Sequence, residues 1–284
     1  MKSQYRLWRK TIPAALAAAL ALPLAPAPEA EAAALSFADV SRDASWSLGS
    51  VVELTQRGIF SGYPDGTFGP NRAVTRLETL VAAVRQMGLR AEAESAEAKR
   101  ARLSAADAEL IRKQYAWATG YVEMAEDHDL LDDEKAELKP GEPADRLFAT
   151  KVLVRALGLE KEAEAAMGSD LPFRDKAEVN EAAVGYVAVA VEYGLVAGYD
   201  DNTFRPGRRV SRAELATLLD RAGDKLPDPK GEFAQASGTV SGVSGREVTL
   251  RQTAGATQTF FVGEAATLVR GGRLATPSDL VPGD

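Results

Sequence analysis

Two arginines stand directly after helix-starting signals, Arg76 in Thr75-Arg76-Leu77-Glu78 and Arg212 in Ser211-Arg212-Ala213-Glu214. Thr-x-x-Glu and Ser-x-x-Glu are capping boxes, in which the hydroxyl accepts from a free backbone N–H of the first turn while the glutamate reaches back. An arginine at the next position lies at the positive end of the helix, where the macrodipole makes a cation slightly unfavourable. Its partner must therefore lie outside the helix. Free first-turn N–H groups beside a guanidinium form a receptor for a carboxylate, and anion recognition is the chemistry this spacing offers.

Other chemistries find little support. His128 is the only histidine and cysteine is absent, which argues against a histidine-based triad or a zinc site. Asp200-Asp201-Asn202 lacks the alternating oxygen ligands and distal glutamate of a calcium loop. The many carboxylates form no pattern that singles out a glycosidase pair. No cofactor and no metal are expected, and the chain reads as non-catalytic.

The elements that position the arginines occur twice. GYPDGTFGPNRAVTRLE from Gly62 to Glu78 returns as GYDDNTFRPGRRVSRAE from Gly198 to Glu214, at a constant offset of 136 residues. The same offset relates Phe37, Asp39 and Gly58 to Phe173, Asp175 and Gly194, so this is a repeat protein. Asp65-Gly66 is a tight-turn dipeptide, and Asn202 takes the glycine's place as the residue next most tolerant of positive φ. Each unit reads as helix, extended turn, helix: in the first, Leu48, Val51, Val52, Thr55 and Ile59 follow three- and four-residue steps, then Leu77, Leu80, Val81 and Val84 share a face.

The expected division is a signal peptide over 1–32, a first repeat over 37–90, a solvated helical connector over 91–114, a degenerate second repeat over 115–160, a third repeat over 173–223 and a β-rich segment over 231–284. In the second repeat LLDDEKAEL replaces the Gly-Tyr-x-Asp turn, Asp145 stands where Thr75 caps the first copy, and Arg146 aligns with Arg76. Beyond Pro229, GTVSGVSGREVTLRQTAGATQTFFV alternates β-formers with Gly and Ser turns, as short hairpins do.

At the start of the chain Lys2, Arg6, Arg9 and Lys10 precede an apolar run from Ile12 to Leu24 and small-residue sites around Ala30 to Ala34, the pattern of a secretory signal peptide. Prolines interrupt that run short of a membrane span, and no later segment approaches spanning length. Without residues 1–32 the chain carries 30 basic and 39 acidic side chains. Such an acidic protein has no general attraction to nucleic acid or to an anionic membrane, and an anionic ligand must be held by a local cluster.

With these residues in view, the chain resembles the S-layer homology domain family, which shares the Gly-Tyr-x-Asp-Gly-Thr-Phe-x-Pro loop and the Thr-Arg-Ala-Glu helix start, over roughly Phe37 to Gly223. The resemblance implies a mainly α fold of three helix-loop-helix repeats in a pseudo-threefold arrangement around a central helical bundle, here followed by a small β-rich C-terminal segment. It implies grooves between the repeats that bind secondary cell-wall polymer, often through a pyruvylated sugar, and so hold S-layer proteins or exoenzymes on the envelope. A peptidoglycan-linked glycan as partner and self-assembly in an S-layer belong to the same expectation. The alternatives are the wall-targeting region of a secreted enzyme and a linker between an outer membrane and the wall.

A pyruvyl ketal carries a carboxylate, so Arg76, Arg146 and Arg212 are the charge-recognition candidates; the competing role for each is pairing with a carboxylate of an adjacent repeat. Tyr63 and Tyr199 either stack on sugar faces or cover the core. Trp46 and Trp117 fall in repeat-opening helices, where burial is the default and a sugar platform the sharper reading. Asp65 and Asp201 are assigned turn hydrogen bonds first and sugar hydroxyls second.

Overall fold

The computed structural model of the chain describes residues 37–95, 105–132, 137–223, 238–245, 247–251, 257–262, 268–270 and 273–283. The expected signal peptide lies outside them. Among the described residues ten α-helices follow in order: α1 Ala38–Asp43, α2 Leu48–Gln56, α3 Arg76–Gln86, α4 Arg90–Ser95, α5 Ala105–Gln114, α6 Thr119–Asp127, α7 Arg146–Ala156, α8 Glu160–Ala165, α9 Val184–Glu192 and α10 Arg212–Gly223. Short 3-10 turns at Ser45–Ser47, Ala116–Ala118 and Glu181–Ala183 lead directly into α2, α6 and α9. The tail forms an antiparallel sheet of β1 Thr239–Ser244, β2 Glu247–Arg251 and β3 Thr257–Phe261, and a hairpin of β4 Leu268–Arg270 with β5 Arg273–Ala275. Mainly α with a small antiparallel β segment is thus the observed class.

Capped starts fix the three longest helices. Thr75 caps α3 in a full capping box, Ser211 and Glu214 exchange the same two bonds at α10 (2.9 and 3.2 Å), and Asp145 accepts from Phe148 N–H at α7 (2.7 Å). These three helices pack against one another, and each also carries the opening helix of the following unit: α6 lies on α3, α9 on α7, and α2 on α10. A unit's two helices therefore do not pair mainly with each other. Each opening helix covers apolar surface that the preceding unit cannot bury alone.

Backbone hydrogen bonds tie the units into a closed cycle. Ala144 N–H donates to Val74 O (2.8 Å), Val210 N–H to Ala144 O (3.0 Å) and Val74 N–H to Val210 O (3.0 Å). A second set repeats the order, from Arg76 N–H to Glu142 O, Arg146 N–H to Arg208 O and Arg212 N–H to Arg72 O, each at 2.9 Å. The arginine N–H groups that a first helical turn leaves without an intrahelical partner are satisfied in this way by the next unit.

One expectation needs correction. The segment from Arg90 to Gln114, read as a solvated connector, is built into the fold at both described ends. Ala93 of α4 packs against Gly120, and in α5 Asp107 and Ile111 are buried. Asp107 accepts from Leu138 and Lys139 N–H (2.7 and 3.0 Å), as Asp39 accepts from Phe68 and Gly69 N–H and Asp175 from Phe204 and Arg205 N–H. Asp107 of α5 thus braces the loop at Leu138 as Asp39 and Asp175 brace theirs; Asp39 and Asp107 are buried and Asp175 is half-buried.

The three junctions between units differ in their polar chemistry. At two of them an arginine donates to a buried tyrosine hydroxyl that in turn donates to a glutamate: Arg85–Tyr121–Glu94 (3.0 and 2.7 Å) and Arg155–Tyr186–Glu160 (2.9 and 2.9 Å). Ser50 takes the tyrosine's place at the closing junction and donates to Asp220 (2.6 Å). Burial, then the hydrogen bond and charge of Asp220, push Glu53 up to about 7, with Arg57 opposing. The other Asp220 oxygen is buried without another partner, and Glu53, when protonated, would offer it a donor.

A carboxyl whose pKa is higher in the fold than in the unfolded chain stabilises most fully below its unfolded value of 4.5 and loses that contribution as pH rises through about 7. Allowing for solvent screening at this half-buried group, urea denaturation at pH 8 should show about 1–2 kcal/mol less stability from this site than at pH 4.5. Glu53→Gln should flatten that part of the pH profile, and an unchanged profile in the variant would remove Glu53 as its source.

Candidate functional site

Where the last unit meets the first, a cleft of about 400 Å³ opens between them. The first unit contributes Trp46, Asn71 and Ala73, and the last contributes Arg208, Arg209, Ser211 and Glu214. Its floor is the short antiparallel bridge between Ala73 and Ser211, so the cycle of backbone bonds sets the spacing of its walls. The volume falls within the range of small-ligand pockets.

Trp46 is the middle residue of the turn Ser45–Ser47 and is 62% exposed, and Trp117, in the matching turn Ala116–Ala118, is 59% exposed. This corrects the expectation of burial inside helices. A one-turn 3-10 segment swings the side chain off the packed face that α2 and α6 present to the bundle, and the indole is left in water. A large aromatic exposed on a cleft wall is unpaired stacking surface.

The three capped arginines have other duties. Arg212 is 7% exposed; its Nε donates to Phe68 O and its Nη2 to Ser61 O, both at 2.8 Å, and its guanidinium lies over the rings of Phe68 and Tyr63 (4.6 and 4.9 Å). Arg146, also buried, donates to Ala197 O (2.5 Å) and lies over Tyr199 (4.9 Å), while its Nε has no partner. Arg76 is half-buried, donates to Leu138 O (3.3 Å) and stacks on Phe148 (4.4 Å). Each arginine therefore clamps the loop of the following unit. The expectations that Arg146 and Arg212 face open clefts, or pair with carboxylates of a neighbour, are both corrected: their partners are main-chain carbonyls and ring faces, and burial lowers both pKa values while the groups stay charged.

Tyr63 and Tyr199 are half-buried and surrounded by cations. Arg72 lies over Tyr63 (4.4 Å), and Arg205 over Tyr199 (4.3 Å), whose hydroxyl accepts from Arg208 (2.5 Å). Asp65 accepts from Thr67 N–H and hydroxyl (3.0 and 2.7 Å), and Asp201 does the same with Thr203 (3.2 and 2.6 Å). Hydrogen bonds from Thr203 and Arg205 hold Asp201 down to about 2. These carboxylates are engaged in their turns.

The exposed cations on the cleft wall are Arg208 and Arg209, and Arg208 has a counterpart in Arg72 that the capped arginines overshadowed in the sequence. Arg72 and Arg208 occupy the same place in the repeated loop, four residues before the capped arginine, so the signal was present in the register. Arg208 is ion-paired with Glu214, whose other oxygen stays on the Ser211 N–H. The cleft therefore combines an indole face, a solvent-reachable guanidinium and a carboxylate held by its own cap. Among the described residues no group of three or more His, Cys, Asp or Glu could hold a metal ion, and no helix is long and apolar enough to cross a membrane.

Comparison with known proteins agrees with this architecture. The S-layer homology domain matches residues 36–80 and 172–216. The chain is 27% identical over 193 residues to the cellulosome-anchoring protein of Acetivibrio thermocellus, covering 68% of this chain and 27% of that protein. It is 26% identical over 213 residues to S-layer protein EA1 of Bacillus anthracis (75% and 22%). Over 175 residues it is 24% identical to an amylopullulanase of Thermoanaerobacterium thermosulfurigenes (62% and 9%). The chain thus spans 9% to 27% of the first such relatives. The S-layer homology domain thus occurs twice in the chain, in register on the matching loops and caps.

Proposed function

We propose that the chain is a non-catalytic anchoring module of a secreted cell-surface protein, which binds an acidic secondary cell-wall polymer in the clefts between its units. The observation that carries this reading is Trp46 beside Arg208 on the walls of the open cleft. Indole offers a face to the C–H side of a sugar ring, and guanidinium offers paired donors to a carboxylate such as a pyruvyl ketal. In this reading the units are three repeats about a pseudo-threefold axis, supported by the cyclic order of the backbone bonds and by the equivalent bracing aspartates. The boundaries are 37–95 for the first repeat, 105–160 for the middle one and 173–223 for the last. The capped arginines act indirectly, by holding the loops that form the clefts.

Names among the relatives include a cellulosome-anchoring protein, an S-layer protein and an amylopullulanase. The enzyme is matched over only 9% of its own length, which favours a module whose cargo varies while its wall attachment does not. Purified chain should pellet with sacculi that retain their secondary polymer and stay in solution with sacculi stripped of it. Equal pelleting with both would overturn the polymer as partner and favour peptidoglycan.

A further inference from the structure

Resting on the anchoring reading above, we propose that two of the three clefts bind an acidic sugar residue and that the cleft between the middle and last units does not. The equivalence of positions comes from the backbone. Arg72, Glu142 and Arg208 each donate an N–H to the carbonyl three residues earlier, on Gly69, Lys139 and Arg205 (3.0, 2.9 and 3.1 Å). Those three acceptor residues are all left-handed, with φ of 69°, 51° and 58°. Trp46, Trp117 and Ala182 are the middle residues of the three 3-10 turns that lead into α2, α6 and α9. Glu78, Phe148 and Glu214 are the third residues of α3, α7 and α10, each with its N–H on the cap side chain.

Since the preceding unit in the cycle supplies one wall of each cleft, the sets sort themselves. The last–first cleft holds Trp46, Arg208 and Glu214. By the same geometry the first–middle cleft holds Trp117, Arg72 and Glu78, and the middle–last cleft holds Ala182, Glu142 and Phe148. The third set has no indole, puts a carboxylate where the others put a guanidinium, and puts a phenyl ring where the others put an acceptor. Arg209 pairs its main chain with Asp145 at that edge but also lines the last–first cleft, and Glu142 and Asp145 oppose its charge. An anionic sugar entering there meets repulsion and no indole face.

The chain contains three tryptophans, so Trp8→Phe leaves Trp46 and Trp117 as separate reporters, one in each competent cleft. The test titrates this full-length variant with a 4,6-O-pyruvylated N-acetylhexosamine methyl glycoside, following calorimetry and indole fluorescence, with the unpyruvylated glycoside as control. Two sites are expected for the acidic probe, with at least tenfold weaker binding of the control. Arg208→Gln should leave one site and abolish the change that persists in Trp117→Phe; Arg72→Gln should do the reverse. Glu142→Gln should leave the count at two. Circular dichroism verifies folding in each variant. A count of one or three, or a count altered by Glu142→Gln, overturns this assignment while leaving anchoring intact. Absence of probe binding with sacculus pelleting preserved also overturns it, whereas loss of both sinks the anchoring reading itself.

Discussion

Arg212→Met should lower the unfolding free energy by about 3 kcal/mol, whereas Arg208→Met should change it by less than about 1 kcal/mol. The two side chains are four residues apart and equally charged at neutral pH, so charge alone predicts no such difference. Arg212 is buried and its two donors hold Phe68 O and Ser61 O, with aromatic rings against the guanidinium. Methionine fills much of the volume but leaves those carbonyls without their charged donor, and a hydrogen bond to a charged group contributes about 1.5–3 kcal/mol. Arg208 sits at the surface in an ion pair with Glu214, where solvent screens the interaction. Chemical denaturation of the two variants measures the difference. Equal, small losses would mean that the loop does not depend on its clamp, and the indirect role assigned to Arg212 would fail.

A second large effect is expected at glycines that share one place in three helices. An added Cβ at Gly120 would lie 1.9 Å from Ala93 O, and at Gly185 1.8 Å from Ala163 O, whereas at Gly49 nothing lies within 4 Å. The short helices α4 and α8 cross directly over α6 and α9 with backbone against backbone, and only glycine admits that approach. Gly120→Ala or Gly185→Ala must push a whole helix away and should cost about 3 kcal/mol. Gly49→Ala meets open space and should stabilise by a few tenths to about 1 kcal/mol, through helix propensity alone. Thermal or urea unfolding of the three single variants decides the matter. Similar values at all three positions would show that the close crossings carry no weight.

How far the fold was legible follows from which interactions are local. The loops, the caps at Thr75, Asp145 and Ser211, and the turn bonds of Asp65 and Asp201 lie within a few residues of their partners, so residue type and spacing were enough to find them. The β-forming tail was visible for the same reason, in its alternation. What the sequence hid was contact between units. Asp107 resembles its charged neighbours in a stretch rich in Ala, Glu, Lys and Arg, and only the fold places it under the loop at Leu138. The partners of Arg212 are backbone carbonyls about 150 residues away, and a carbonyl carries no signature in sequence. Trp46 and Trp117 looked like core because indoles usually are; a single tight turn on the outside of the bundle was enough to reverse that. Arg208 at the cleft, and Arg72 in the matching place of the first loop, were hidden in plain register beside arginines with a more conspicuous setting.

The cycle that runs through Val74, Ala144 and Val210 bears on how such a module behaves under load. A linear array of repeats can fray from its ends, because a terminal unit has one neighbour and its loss leaves the rest intact. Here the last bond of the cycle joins positions 74 and 210, so every unit has two neighbours and none is terminal. Tension applied through the chain has no loose end to peel, and the ring should yield in one step, at a force set by its weakest junction. In the anchoring role proposed above, all-or-none failure keeps the cleft in shape until the whole gives way.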